Sequence, residues 1–212
     1  MRILKPIAVM LLTTGLVLAY PVHAKDKAES PQVLVETVTG KVLAALKEFK
    51  AKGGVDNEFL DNKIEELILS QMDFADMSRL VLGKHWRAAT EDQRTRFVEQ
   101  FRTLLVRTYK TSLVEYTDEK INFLPFRESE DPNKLATVRS EIIRSNGPSI
   151  PINYSLRFKE ADGWKVFDIG IEGISLVTNY RSSFSREITQ SGIDHLIDSL
   201  RKRNAGHAPD AG

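Results

Sequence analysis

The feature that most constrains this chain is a change of hydrophobic period near Thr117. Before it, apolar residues recur at three- and four-residue steps; after it they alternate. Helices first and strands second give an α+β protein rather than interleaved βαβ units. Ser30-Pro31 opens the first helix as a cap followed by proline, and Leu34, Val38, Val42, Ala45, Leu46 and Phe49 keep helical spacing until Gly53-Gly54. A second helix is predicted from about Asn57 to Gln71, and a short third from Phe74 to Leu82. Thr90 and Gln93 form a capping-box pair ahead of the longest, about Glu91 to Glu115. The apolar surface of that helix, Phe97 to Tyr109 widened by Val98, Val106, Leu113 and Val114, exceeds a normal core-facing stripe. Such a helix is either packed on two sides or looks into a cavity.

Four strands are expected next: around Ile121–Phe123, about Leu135 to Arg144, Ile152 to Lys159, and Trp164 to Ile171. By alternation Phe167, Ile169 and Ile171 share a face, and Asp168 points the other way, to solvent or an edge. Two helices follow, from about Leu176 to Thr189 and from Ile193 to Arg203. The expected architecture is a curved antiparallel four-stranded sheet wrapped by several helices around an apolar cavity.

The first 24 residues read as an address. Arg2 and Lys5 precede an uncharged run from Ile7 to Ala19, and Val22-His23-Ala24 supplies small residues before a cleavage point. That run is short for a span, which needs about 20 residues. We therefore expect a signal peptide over 1–24, a single domain over 25–204 and a disordered tail over 205–212. Export and the absence of cysteine together point to the periplasm, with neither a disulfide framework nor a thiolate metal site. With 30 basic and 29 acidic residues the chain lacks the field of a nucleic-acid binder.

Catalytic signatures are missing: no G-x-S-x-G elbow, no H-E-x-x-H, no phosphate- or dinucleotide-binding glycine loop. His85 has no orienting acid nearby in sequence, and His195 sits beside Asp194 and Asp198 on a solvated helix face. Asp73 and Asp76 read as helix surface, with Asp73 a capping candidate. Arg201-Lys202-Arg203 complements a helix dipole. Neither an enzyme nor a cofactor is expected.

The stretch Leu82-Gly83-Lys84-His85-Trp86-Arg87-Ala88-Ala89-Thr90, followed by Gln93, Phe97, Phe101, Leu105 and Tyr109, resembles the MlaC/Ttg2D family. So do Trp164-Lys165-Val166-Phe167-Asp168, Glu172 to Val177, Tyr180-Arg181, Phe184 and Gly192-Ile193-Asp194. The resemblance spans about Gln32 to Arg203 and implies a periplasmic phospholipid carrier that preserves outer-membrane lipid asymmetry. It implies no catalysis, a monomer, and two membrane partners: an MCE-domain protein of an inner-membrane ABC transporter and an outer-membrane lipoprotein–porin complex. The bound ligand would be a diacyl glycerophospholipid. On pattern and resemblance together, the expected lining is Leu80, Trp86, Phe97, Phe101, Leu104, Leu105, Tyr109, Tyr154, Leu156, Phe158, Phe167, Ile169, Ile174 and Tyr180. By pattern alone the same residues fit a plain core. Arg181 has two readings, a lipid phosphate contact or an ion pair, and Gly173 fits a sharp turn from sheet to helix. A large dry cavity costs stability, so closure on lipid release is expected. The competing reading is a periplasmic chaperone or adaptor for an acylated or apolar protein segment.

Overall fold

A computed structural model describes residues 30–115, 119–126, 134–144 and 146–206. The signal segment, the stretch 127–133 and the tail from 207 fall outside them. Helix α1 runs Pro31–Ala51, with Pro31 in its first turn; Ser30 holds the cap position without a side-chain hydrogen bond. Gly40 lies mid-helix, where a Cβ would meet no heavy atom within 4 Å. Helix α2 (Asn57–Leu67) is capped by Asp56, which accepts from Phe59 N at 2.9 Å. It ends earlier than the periodicity predicts, passing into a tight 3-10 turn at Leu69–Gln71. Helix α3 (Phe74–Leu82) follows as expected. The connection after Gly83 is itself helical: α4, Lys84–Ala88, is a five-residue piece too short to carry a period. Thr90 and Gln93 exchange both capping-box bonds (2.9 and 3.2 Å) and start α5, Glu91–Glu115.

The sheet is an open antiparallel meander in the order β1 (Lys120–Phe123), β2 (Leu135–Ile143), β3 (Ile150–Lys159), β4 (Gly163–Ile171) and β5 (Ile174–Ser175). It has five strands where four were expected. The fifth is only two residues long, below the reach of an alternation argument. It pairs back on β4 through Glu172 and Gly173, both at positive φ (+52° and +81°), so glycine at 173 serves the turn foreseen for it. Helices α6 (Leu176–Ser191) and α7 (Ile193–Gly206) complete the fold. Helix α7 passes the expected boundary at 204: Asn204 is buried and its amide donates to the Gln100 carbonyl at 3.0 Å.

The wide apolar surface of α5 is packed on two sides. Phe97, Phe101 and Leu105 belong to the main core with α3, α6 and α7, whereas Val106, Leu113 and Val114 pack against a second cluster of Leu46, Phe49, Leu60 and Ile64 from α1 and α2. A third cluster joins Val35 of α1 to Val138, Leu156 and Val166 of the sheet.

One irregularity decides how the sheet is used. Ser155 pairs with Asp168 but Leu156 pairs with Val166, so β4 carries one extra residue, Phe167. The bulge overturns the expectation that Phe167, Ile169 and Ile171 share a face. Phe167 packs into the helical core, while Val166 and Ile169 pack with Leu156 beneath α1. Asp168, expected at solvent or an edge, instead holds α6 in place. It accepts from Ser175 Oγ at 2.5 Å and from Val177 N at 3.1 Å. Asp168→Ala is expected to cost about 1–2 kcal/mol, as loss of a helix cap does. At about 2–4 °C per kcal/mol for a chain of this size, the melting temperature measures it directly.

Candidate functional site: an apolar seam under the first helix

Because side chains alternate across a strand, the two faces of the sheet differ in character. Toward α3 and α6 stand Arg157, Asp168 and the bulged Phe167. Asp73 and Asp76, expected as helix surface, are 8% and 9% exposed and meet that face. Asp73 caps α3 through Asp76 N at 3.0 Å and pairs with Lys159. Asp76 accepts from Arg79 Nη2 at 2.5 Å and pairs with Arg157, whose guanidinium also lies 4.9 Å above the Phe167 ring. The sequence hides this because both partners come from a strand some 80 residues away. Two buried carboxylates matched by cations on β3 fasten α3 to the sheet; nothing here is arranged for proton transfer.

The opposite face is apolar: Ala136, Val138, Ile152, Leu156 and Val166 are buried there, with Phe123, Tyr154 and Ile169 packed against them. From the helices only α1 contributes to this cluster, through Val35 and Leu34. Further along α1, an apolar crevice with a cavity volume of only ≈ 10 Å³ lies between α1 and α2, lined by Val42, Ala45, Leu46, Leu60 and Ile64, with Leu113 of α5 among its walls. The sheet face under Val35 and the crevice beside Leu46 are two apolar patches, each covered by a different stretch of α1.

The expected lining residues divide between the layers. Tyr154, Leu156 and Ile169 lie in the seam. Leu80, Trp86, Phe97, Phe101, Leu104, Leu105, Tyr109, Phe167 and Tyr180 all join the helical core on the other side of the sheet. There Phe97 and Phe101, both 0% exposed, stack at 5.7 Å, and Phe184 meets each edge-on. Tyr109 is half-buried beside Tyr180, and burial pushes its phenol up to about 12. Phe158 sits at the hairpin end of the sheet against Trp164, 5.5 Å away edge-on. Ile174 is 61% exposed on β5. The residues that sequence reasoning missed are those of the crevice, Val42, Ala45, Leu60 and Ile64; their helical spacing was visible, but it reads as ordinary core.

Arg181 Nε donates to the Leu80 carbonyl at 2.7 Å, tying α6 to α3. His85 Nε2 meets Ser185 Oγ at 3.0 Å, and burial, then Lys84, holds its pKa below the usual value. Among the described residues no group of histidine and carboxylate side chains could hold a metal ion, and no helix is long and apolar enough to cross a membrane.

Comparison with known proteins bears on this seam. The family model described as MlaC protein matches residues 36–202. The intermembrane phospholipid transport system binding protein MlaC of Haemophilus influenzae is 24% identical over 82% of this chain and 81% of its own length. The toluene tolerance protein ttg2D of Pseudomonas putida is 26% identical over 81% of this chain and 80% of its own. Among solved structures, a phospholipid-binding protein of Ralstonia solanacearum, in complex with a phospholipid, matches with a TM-score of 0.74 at 29% identity, covering 82% of this chain and 97% of that one.

Proposed function

This chain belongs to the MlaC family, and on that premise we propose that it carries glycerophospholipid across the periplasm, with the acyl chains held in the seam under α1. The observation that carries the reading is the match to a chain solved with phospholipid bound. Each buried methylene is worth about 0.8 kcal/mol, so two tails of roughly 16 carbons lose on the order of 25 kcal/mol in water. A carrier must enclose them, and enclosure needs apolar surface rather than reactive groups.

The crevice alone is too small for the cargo. Taking a methylene as ~30 Å³, the share of a liquid water molecule, one 16-carbon tail needs roughly 500 Å³, against ≈ 10 Å³ between α1 and α2. Loading therefore lifts α1 from the sheet and from α2, and the apolar face beneath becomes lining. In this reading Tyr154, Leu156 and Ile169 touch acyl chain directly, and the aromatic core beyond the sheet stays packed. The partners are the two membrane complexes between which such a carrier would travel: an MCE-domain protein of an inner-membrane ABC transporter and an outer-membrane lipoprotein–porin complex.

The test is native mass spectrometry of protein purified from a periplasmic extract without detergent. The expected result is a mass increment of one diacyl phospholipid per chain. Protein that arrives empty and also fails to extract lipid from vesicles overturns the reading in favour of an adaptor for an apolar protein segment.

A further inference from the structure

One place in the apolar seam is not apolar. On the sheet face beneath α1, Ser140 of β2 occupies the position that alternation gives to Ala136 and Val138, and it is 1% exposed. Its neighbours across the ladder are Phe123 and Ile152. Its hydroxyl finds no hydrogen-bond partner among the described residues. Tyr154 stands on the adjacent strand, opposite Val138 and Ile169. Its phenol is pushed up by burial, and its polar neighbours, Ser140 and then Thr39 of α1, oppose that shift. Two hydroxyls thus lie on one face of the neighbouring strands β2 and β3, and Ser140 Oγ is left without a hydrogen-bond partner.

Leaving a buried hydroxyl unpaired costs more than replacing it by a methyl group would. An alanine at 140 would continue the apolar row and remove that cost. A site that keeps Ser140 and Tyr154 together on an apolar sheet face is built for a ligand bearing hydrogen-bond acceptors within its apolar body.

Resting on the carrier reading above, we propose that Ser140 and Tyr154 form a subsite for the ester carbonyls that join acyl chains to glycerol. Each hydroxyl donates to a carbonyl oxygen, Ser140 gaining the partner it lacks. An alkyl ether offers no carbonyl, so the subsite distinguishes ester-linked from ether-linked lipid of equal length and headgroup. The aliphatic surroundings then set how tightly a lipid is held, and the hydroxyls set where along its length it stops.

The test is a competition. Wild-type protein, Tyr154→Phe and Ser140→Ala are each incubated with vesicles of equal parts dioleoyl phosphatidylglycerol and its di-O-oleyl ether analogue, and the protein-bound lipids are extracted and weighed by mass spectrometry. Two modest hydrogen bonds correspond to a preference of about five- to tenfold for the ester lipid. The wild type is expected to show it, and each substitution to bring the ratio toward one. Ser140→Ala is further expected to keep or raise the melting temperature, since it deletes an unpaired group; a purely structural hydroxyl would lower it and leave the ratio alone. Equal uptake of the two lipids by wild type, or a ratio unchanged in both variants, overturns the subsite while leaving the carrier reading intact. Uptake of neither lipid by wild type overturns both.

Discussion

Replacing Ala45 by phenylalanine is expected to reduce phospholipid uptake at least tenfold at a modest cost in melting temperature. Ala45 lines the crevice between α1 and α2 with Val42, Leu46, Leu60 and Ile64 around it. The crevice holds only ≈ 10 Å³, so a benzyl group pushes its neighbours aside, which costs about 1–3 kcal/mol. The same ring takes the volume that an acyl chain must enter. Lipid content after exposure to vesicles, measured beside thermal unfolding, separates the two effects. Normal loading with the ring in place would put the acyl path elsewhere in the molecule.

Phe101→Ala is expected to have the opposite signature, a large loss of stability with little change in lipid held per folded chain. Phe101 has no exposed surface. It stacks on Phe97 at 5.7 Å and meets Tyr180 and Phe184 edge-on at 5.3 and 6.1 Å. Truncating a fully enclosed ring leaves a cavity that close-packed neighbours only partly fill, which costs about 3–5 kcal/mol. At about 2–4 °C per kcal/mol, the melting temperature falls by roughly 6–20 °C. A loss under 1 kcal/mol would mean that this ring faces removable contents rather than fixed side chains. Lipid-free protein would then unfold like the variant.

The elements themselves were largely legible from sequence because they rest on local signals. The capping box at Thr90 and Gln93 and the helix stop at Gly53-Gly54 are each decided within a few residues. The position of the seam was not legible. Which side of the sheet Phe167 serves depends on a bulge defined by the partner strand, and no window confined to β4 contains that information. Asp76 reads as surface until Arg157 arrives from β3 to pair with it. The same long-range ignorance explains the lining: Phe97 and Tyr154 have equally apolar surroundings in sequence, yet the sheet stands between them. Uninterrupted alternation on β3 fixes the face of Leu156, which packs with Val35 and Val138. Val42 and Ala45 were seen as one stripe of α1, but nothing local tells a stripe against a permanent core from a stripe against a replaceable one.

Helix α1 is held at two places of different kind, by Val35 on the sheet and by Leu46 and Phe49 on α2 and α5. Between them lies Gly40, which is about 1 kcal/mol less favourable in a helix than alanine and has empty space where a side chain would be. The 21-residue rod is thus two grips joined at a weak waist. Either grip can let go while the other keeps its hold. An arriving molecule then contends with half of the roof at a time, and the chain keeps its connectivity and most of its buried surface throughout the exchange.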